Sequence, residues 1–144
     1  MEANELIEMI KELVQMDIDT VHAYNRALDE ISDKILHSRL AAFRDNHQKH
    51  IADLSHQIRM LGGQAPEPTR DFKGFILEAF TALRIATGTK GALKALKTVE
   101  EITNQYYGNV VSETVPETLK DMLRKYFSDE KIHLDYISRN LHTL

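Results

Sequence analysis

The fold of this chain is decided by residues 17–50, which read DIDTVHAYNRALDEISDKILHSRLAAFRDNHQKH, because a second stretch repeats their pattern. The copy is residues 100–133, which read EEITNQYYGNVVSETVPETLKDMLRKYFSDEKIH and follow at a constant shift of 83 positions without a gap. Four pairs of residues coincide under this shift: Asp17 and Glu100, Tyr24 and Tyr107, His47 and Glu130, His50 and His133. Two matching halves predict one pseudo-symmetric arrangement.

Around these two stretches, apolar residues recur at every third or fourth position, which is the period of an amphipathic helix. Four such runs are present, at residues 6–31, 40–61, about 90–111 and about 116–144. Val, Ile and Thr do not alternate with polar residues over the length of a strand. The sequence therefore predicts an all-α protein.

The lengths of the connections predict how the four helices are arranged. Short links after the first and third runs predict two antiparallel hairpins, the second a copy of the first. Residues 62–89 are long enough to cross the length of a bundle, and the apolar spacing of residues 71–87 predicts a short extra helix within this crossover. We expect a four-helix bundle forming a single domain over residues 1–144, with the extra helix acting as a lid or as a homodimer interface.

Composition excludes several classes of protein. The absence of Cys excludes disulfides, thiolate zinc sites and iron–sulfur clusters, so any metal must be held by oxygen and nitrogen. A formal net charge of -4 without a basic block argues against a nucleic-acid partner. No apolar run reaches the roughly 18 residues of a membrane span, and no secretory leader is visible. We expect no membrane association and a cytoplasmic location.

Six potential metal-binding side chains interrupt the apolar faces of the helices: Asp17, His47, His50, Glu100, Glu130 and His133. Residues three apart share a helical face, so His47 with His50, and Glu130 with His133, can each direct two groups toward one point. His50 follows Asp17 by 33 positions and His133 follows Glu100 by the same number, which implies equal height in two antiparallel hairpins. Because buried charges need compensation, a shared metal ion explains all six.

This combination resembles the ferritin-like superfamily, in which an acidic residue from each of two helices and a Glu-x-x-His pair from each of the other two surround a dinuclear metal site. It is also similar to small bacterial relatives of rubrerythrin and bacterioferritin, many of unknown function, in which Tyr follows the acid by seven positions. The resemblance implies these roles: Asp17 and Glu100 as terminal ligands, Glu130 as a bridging or terminal carboxylate, and His47, His50 and His133 as nitrogen ligands. It implies that Tyr24 and Tyr107 bond to these ligands, although both also suit a purely structural aromatic role.

The chain departs from the family pattern in its first helix pair. His47-x-x-His50 stands where the family has Glu-x-x-His, and Asp17 is shorter than the usual Glu. Three carboxylates and three neutral histidines leave two divalent ions incompletely neutralised. Such a mixed donor set accommodates iron, which the resemblance favours, and also zinc or manganese. A one-metal site is a further alternative, around Glu100, Glu130 and His133 or around His47 and His50 with a carboxylate.

Two functions follow from these observations. The first is a metal-binding protein with iron in the bundle, engaged in oxidative-stress or metal-handling redox chemistry; if it is an enzyme, it is a metal-dependent oxidoreductase. The second is a metal-free bundle with an interaction or structural role, in which Asp17 pairs with His47, and Glu130 pairs with His133 or His50. The remaining histidines and several aspartates are expected to face solvent: His22, His37, His56, His142, Asp45, Asp53, Asp129 and Asp135.

Overall fold

Four long helices make up most of the described chain. The computed structural model describes residues 2–67, 81, 83, 85 and 87–144. The helices are α1, Ala3–Leu28; α2, Lys34–Met60; α3, Gly88–Val111; and α4, Glu117–His142. No strand occurs within the described ranges, so the all-α prediction is confirmed.

The helices pack as two hairpins, as the repeat predicts. Residues 29–33 connect α1 to α2, residues 112–116 connect α3 to α4, and the helices within each hairpin pack along each other. The hairpins meet mainly where α1 packs on α3, whereas α2 and α4 make only sparse contact. In the described part of the chain, the seam between α2 and α4 is therefore the least tightly closed side of the bundle.

Local signals set both ends of α2. Asp33 caps its start, because its carboxylate accepts a hydrogen bond of 2.9 Å from the Leu36 backbone N–H. The helix consequently begins at Lys34, six residues before the apolar run that indicated it. At its end, Gly62 has φ +87, and the Gly63 N–H bonds back to the Ile58 carbonyl at 2.9 Å. This is the Schellman arrangement that a glycine with positive φ permits.

The apolar core is divided into two clusters along the bundle axis. One cluster contains Leu40 and Leu96, and the other contains Leu13, Leu54 and Leu123. Apart from Ile18, which follows Asp17, the buried residues of the two clusters lie on opposite sides, along each helix, of the predicted metal-binding positions. The polar residues thus form a layer across the middle of the bundle, between two apolar halves.

The predicted crossover helix falls largely outside the described residues, including Phe72, Phe75, Ile76 and Phe80. Leu83 is described and is 1% exposed, within the cluster that contains Leu40. The lid and the homodimer interface therefore stay predictions. No helix in the described residues combines the length and the apolarity that crossing a membrane requires.

Candidate metal centre

All six sequence-predicted side chains lie in the polar layer and are almost completely buried. Five of them have no exposed surface, and His133 is 2% exposed. α1 contributes Asp17 and α3 contributes Glu100, while the paired motifs come from α2 and α4. Burial of so many ionisable groups is tolerated only when they pair with one another or bind a cation.

The six residues form two overlapping groups, each able to surround one ion. The first group is Asp17, His47, His50 and Glu130; the second is His47, Glu100, Glu130 and His133. Within each group, one ligand atom from every residue lies within 4.8 Å of the others. His47 and Glu130 belong to both groups, so the arrangement can hold two ions with these residues between them. We call the two positions the His50 position and the His133 position.

His47 lies between the two single-helix acids. Its Nδ1 is 2.7 Å from Asp17 Oδ1, and its Nε2 is 2.9 Å from Glu100 Oε1. Its Nε2 is also 3.4 Å from Glu130 Oε2. Because ionised carboxylates only accept hydrogen bonds, this geometry requires a proton on each ring nitrogen. In the absence of metal, His47 is thus an imidazolium that links both halves of the cluster.

The other two histidines are held from the outside. His50 Nε2 donates to Asp129 Oδ2 at 3.0 Å, and His133 Nε2 donates to Asn46 Oδ1 at 3.0 Å. A proton on the outer nitrogen leaves the inner Nδ1 of a neutral imidazole with a free lone pair. This is the arrangement that protein metal sites use to orient a histidine ligand.

Three buried polar atoms have no hydrogen-bond partner among the described residues. They are His50 Nδ1, His133 Nδ1 and Glu130 Oε1. His50 Nδ1 lies 3.2 Å from Glu130 Oε1, and His133 Nδ1 lies 3.6 Å from Glu130 Oε2. Unsatisfied buried polar atoms are rare in folded proteins and call for an explanation. The donor set therefore fits cations bound on either side of Glu130.

Two tyrosines connect the halves of the repeat crosswise. Tyr24 donates to Glu100 Oε1 at 2.7 Å, and Tyr107 donates to Asp17 Oδ2 at 2.6 Å. Each hydroxyl thus serves the acid of the other half, and both tyrosines are fully buried. These bonds orient Asp17 and Glu100 and show that the tyrosines do more than fill the core.

Aromatic rings cover both outer histidines, again with the symmetry of the repeat. Tyr126 stacks on His50 with ring centroids 4.0 Å apart, and Phe43 stacks on His133 at 4.4 Å. Phe43 and Tyr126 are themselves related by the shift of 83 positions. Stacking on one side and hydrogen bonding at Nε2 together restrict the rotation of each imidazole.

The sequence places this chain in a family. Residues 5–113 match the model described as "Domain of unknown function (DUF2383)". The chain belongs to the DUF2383 family. The matched range includes Asp17, His47, His50 and Glu100 of the cluster, whereas the paired motif of α4 lies beyond it. No curated protein gives a significant match to this DUF2383 chain.

The bundle is also similar to a crystal structure described as "ferritin like, diiron-carboxylate proteins from Bacillus anthracis str. Ames". The TM-score is 0.79, and the similarity covers 98% of this chain and 99% of that chain. It confirms the four-helix bundle that the repeat predicts and the ferritin-like fold that the resemblance implies. At 20% sequence identity the similarity establishes the fold, and the chemistry of the DUF2383 chain must be argued from its own residues.

Mutual attraction within the cluster changes the protonation of the histidines. Burial by itself would lower the pKa of His47, but Glu130, Glu100 and Asp17 raise it well above its ordinary value. For His50, burial is likewise outweighed by Asp17 and Glu130, which raise the pKa to about 9. The pKa of His133 is also raised, because Glu100 and Glu130 outweigh the effect of burial. Without metal, the buried carboxylates therefore favour the protonated form of all three imidazoles.

The three acids respond differently to the same surroundings. Burial acts to raise the pKa of Asp17, but its hydrogen bond to His47 and the nearby charge of His50 bring it below its usual value. The pKa of Glu100 is lowered well below its usual value, because His47 and His133 outweigh burial. Burial and the nearby Glu100 charge raise the pKa of Glu130 against the attraction of His47. Glu130 is therefore the acid whose charge gains most from a bound cation.

The prediction that Asp53 and Asp129 simply face solvent is wrong. Asp129 accepts the hydrogen bond from His50, and Asp53 accepts one from the Tyr126 hydroxyl. The side chain of Asp129 remains 19% exposed and that of Asp53 35% exposed, because both lie at the margin of the seam between α2 and α4. A usable signal was present in the sequence: Asn46 and Asp129 are related by the same shift and immediately precede the paired motifs.

Thr103 is a further residue of the cluster that the sequence pattern did not single out. Its hydroxyl lies 3.1 Å from Glu100 Oε2 and 3.2 Å from Glu130 Oε2. Thr20 occupies the equivalent position in the first half, but its hydroxyl bonds to the Met16 carbonyl of its own helix instead. The two halves therefore differ beside the acids, although the sequence shift relates them.

Proposed function

We propose that this DUF2383 chain is a metal-binding protein that holds transition-metal ions in two adjacent positions inside the bundle. The single observation that carries the proposal is the trio of unpartnered inner atoms, His50 Nδ1, His133 Nδ1 and Glu130 Oε1. Each imidazole is fixed from outside through Nε2, so its inner nitrogen can bind an ion once it has released its proton. Glu130 would bridge the positions, with one oxygen directed to each side.

The donor set favours a particular range of ions. Three imidazoles and three carboxylates suit iron or zinc, and manganese is the more oxygen-seeking alternative. Iron is our first choice because the Bacillus anthracis protein of the same fold is described as a diiron-carboxylate protein. The chain also resembles the small rubrerythrin- and bacterioferritin-related proteins in its spacing of acid and tyrosine, and this resemblance favours the same ion.

Redox or metal-handling chemistry is the activity that this centre would support. Bound iron supplies electron transfer to an oxidant such as oxygen or peroxide. The residues of the chain contribute the surroundings: Tyr24 and Tyr107 hold the acids, and the apolar clusters on both sides keep bulk water away.

Metal analysis of protein purified without an affinity tag tests the proposal. The protein is stripped of metal, loaded anaerobically with iron(II), manganese(II) or zinc(II) in turn, and analysed after gel filtration. We expect up to two ions per chain and a raised melting temperature, because an ion that binds the folded state stabilises it. Retention of no ion, with unchanged thermal stability, would refute the proposal.

Two matched variants make the result specific to the cluster. Glu100→Gln removes a buried ligand charge, whereas Glu101→Gln removes the exposed charge of the next residue. We expect Glu100→Gln to lose bound metal and Glu101→Gln to retain it. Equal retention by both variants would show that the ions bind elsewhere.

A second candidate function, that of a metal-free interaction or structural bundle, is favoured by one observation. His47 bonds at 2.7 Å to Asp17 and at 2.9 Å to Glu100, so a protonated imidazole already compensates both acids. This alternative predicts that no ion changes the melting temperature. It also predicts that Phe80→Asp, in the crossover, alters the oligomeric state or the capture of a partner; an unaffected assembly would remove its support.

A further inference from the structure

We propose that Asp129 makes the two metal positions unequal, so that the His50 position binds its ion more tightly and fills first. The inference rests on the proposed metal-binding function and adds the order of loading. It assigns Asp129 as a positioning residue, which acts on the ion through the His50 imidazole.

The two outer hydrogen bonds have the same length, but their acceptor groups differ in charge. His50 Nε2 to Asp129 and His133 Nε2 to Asn46 are both 3.0 Å. Asn46 and Asp129 are related by the shift of 83 positions, so each one serves the histidine of the other hairpin. The repeat has therefore placed a carboxylate behind one histidine and a neutral amide behind the other.

This difference affects the tautomer of each imidazole and the basicity of its inner nitrogen. The carboxylate of Asp129 can only accept a hydrogen bond, so it holds the proton of His50 on the outer nitrogen. The amide of Asn46 carries an acceptor and a donor, so after rotation it can pair with either tautomer of His133. A carboxylate behind an imidazole also makes the inner nitrogen a stronger base and a better ligand.

Asp129 also supplies charge that the six candidate ligands lack. Two divalent ions exceed the charge of the three carboxylates Asp17, Glu100 and Glu130, when the imidazoles are neutral. Asp129 adds a fourth negative charge, one hydrogen bond away from the His50 position. The neighbouring Lys49 ammonium is engaged with Asp53 at 3.1 Å. The additional charge stabilises an ion beside His50 more than an ion beside His133.

Reciprocal exchange of the two residues tests the inference with cobalt(II), whose visible absorption reports ligand binding directly. The His133→Ala variant keeps the His50 position intact and removes the histidine of the other position. The His50→Ala variant keeps the His133 position intact in the same way. Asp129→Asn and Asn46→Asp are then introduced separately into each background. Removal of such a hydrogen-bonding partner typically lowers metal affinity 10- to 100-fold.

With His133→Ala, we expect Asp129→Asn to weaken cobalt binding about 10- to 100-fold and Asn46→Asp to leave it unchanged. With His50→Ala, we expect Asn46→Asp to strengthen binding and Asp129→Asn to leave it unchanged. Wild-type protein should titrate in two steps, the tighter one with the spectrum of the His133→Ala variant. Because Asn46→Asp predicts a gain, it remains decisive even if Asp129→Asn fails to fold.

Several outcomes would overturn the inference alone. They are two equal steps in wild type, an Asp129→Asn effect of the same size in both backgrounds, and no gain from Asn46→Asp beside His133. Binding of a single cobalt ion supports the inference only if Asp129→Asn weakens it and Asn46→Asp does not. Absence of any cobalt absorption in wild type would instead overturn the proposed metal-binding function, and the inference with it.

Discussion

Raising the pH should destabilise the metal-free protein, because His50 gives up its proton. The pKa of His50 is raised from its ordinary 6.5 to about 9 in the fold by Asp17 and Glu130. A raised pKa means that the contribution is complete below pH 6.5 and is lost as the pH rises through about 9. At 1.36 kcal/mol per pH unit, this difference corresponds to about 3 kcal/mol. His47 and His133 shift in the same direction and can only add to the loss.

Urea unfolding of the chelator-treated protein between pH 6 and pH 9.5 measures this effect. A loss of about 3 kcal/mol would lower the melting temperature by roughly 10 °C for a domain of this size. His56→Gln is the matched control, since His56 is exposed on the same helix as His50, and this variant should keep the full dependence. The reasoning is refuted if the free energy of unfolding of the metal-free protein stays constant or increases over this range.

Metal binding should show the opposite dependence on pH. An ion beside His50 needs the inner nitrogen without its proton, so binding releases protons below pH 9. The apparent affinity should rise about tenfold per pH unit for each proton released. The melting temperatures of the loaded and the stripped protein should therefore diverge as the pH rises.

Three further substitutions test the packing around the cluster, each followed by urea unfolding of the metal-free protein. Tyr107→Phe removes the 2.6 Å hydrogen bond to buried Asp17 and should cost about 1–3 kcal/mol; an unchanged stability would show that the bond contributes nothing. Asp33→Ala removes the cap of α2 and should cost about 1 kcal/mol; an unchanged stability would show that this cap contributes nothing. Gly63→Ala would bring its Cβ to 2.9 Å from Ile7 Cγ2 and should cost about 1–3 kcal/mol; full stability would mean that Ile7 yields freely.

Much of the fold follows from the repeat because helical periodicity and equal spacing are local properties of the sequence. The equal intervals from Asp17 to His50 and from Glu100 to His133 place all four residues at one height in two antiparallel hairpins. The structure indeed buries them in one layer between the two apolar clusters. The helix bounds were less accurate, since a cap such as Asp33 can start a helix before its apolar face begins.

The partners within the cluster could not be derived in the same way. A helical pattern gives the face on which a side chain lies, but its partner depends on helix rotation and side-chain rotamer. Tyr24 and Tyr107 bond to the acid of the opposite half, a crossing that periodicity along one helix cannot reveal. Asp129 falls on a polar stripe, yet its short side chain reaches His50 across the seam between α2 and α4.

The central claim is that cations bind on both sides of Glu130, and anomalous diffraction from crystals of iron- or zinc-loaded protein tests it most directly. Data collected on both sides of the metal absorption edge locate the ions without assumptions about the ligands. The account predicts anomalous peaks in contact with Glu130, one beside His50 Nδ1 and one beside His133 Nδ1. Peaks confined to surface carboxylates, or a cluster in which His47 still bonds to Asp17 and Glu100 with no ion beside it, would contradict the account.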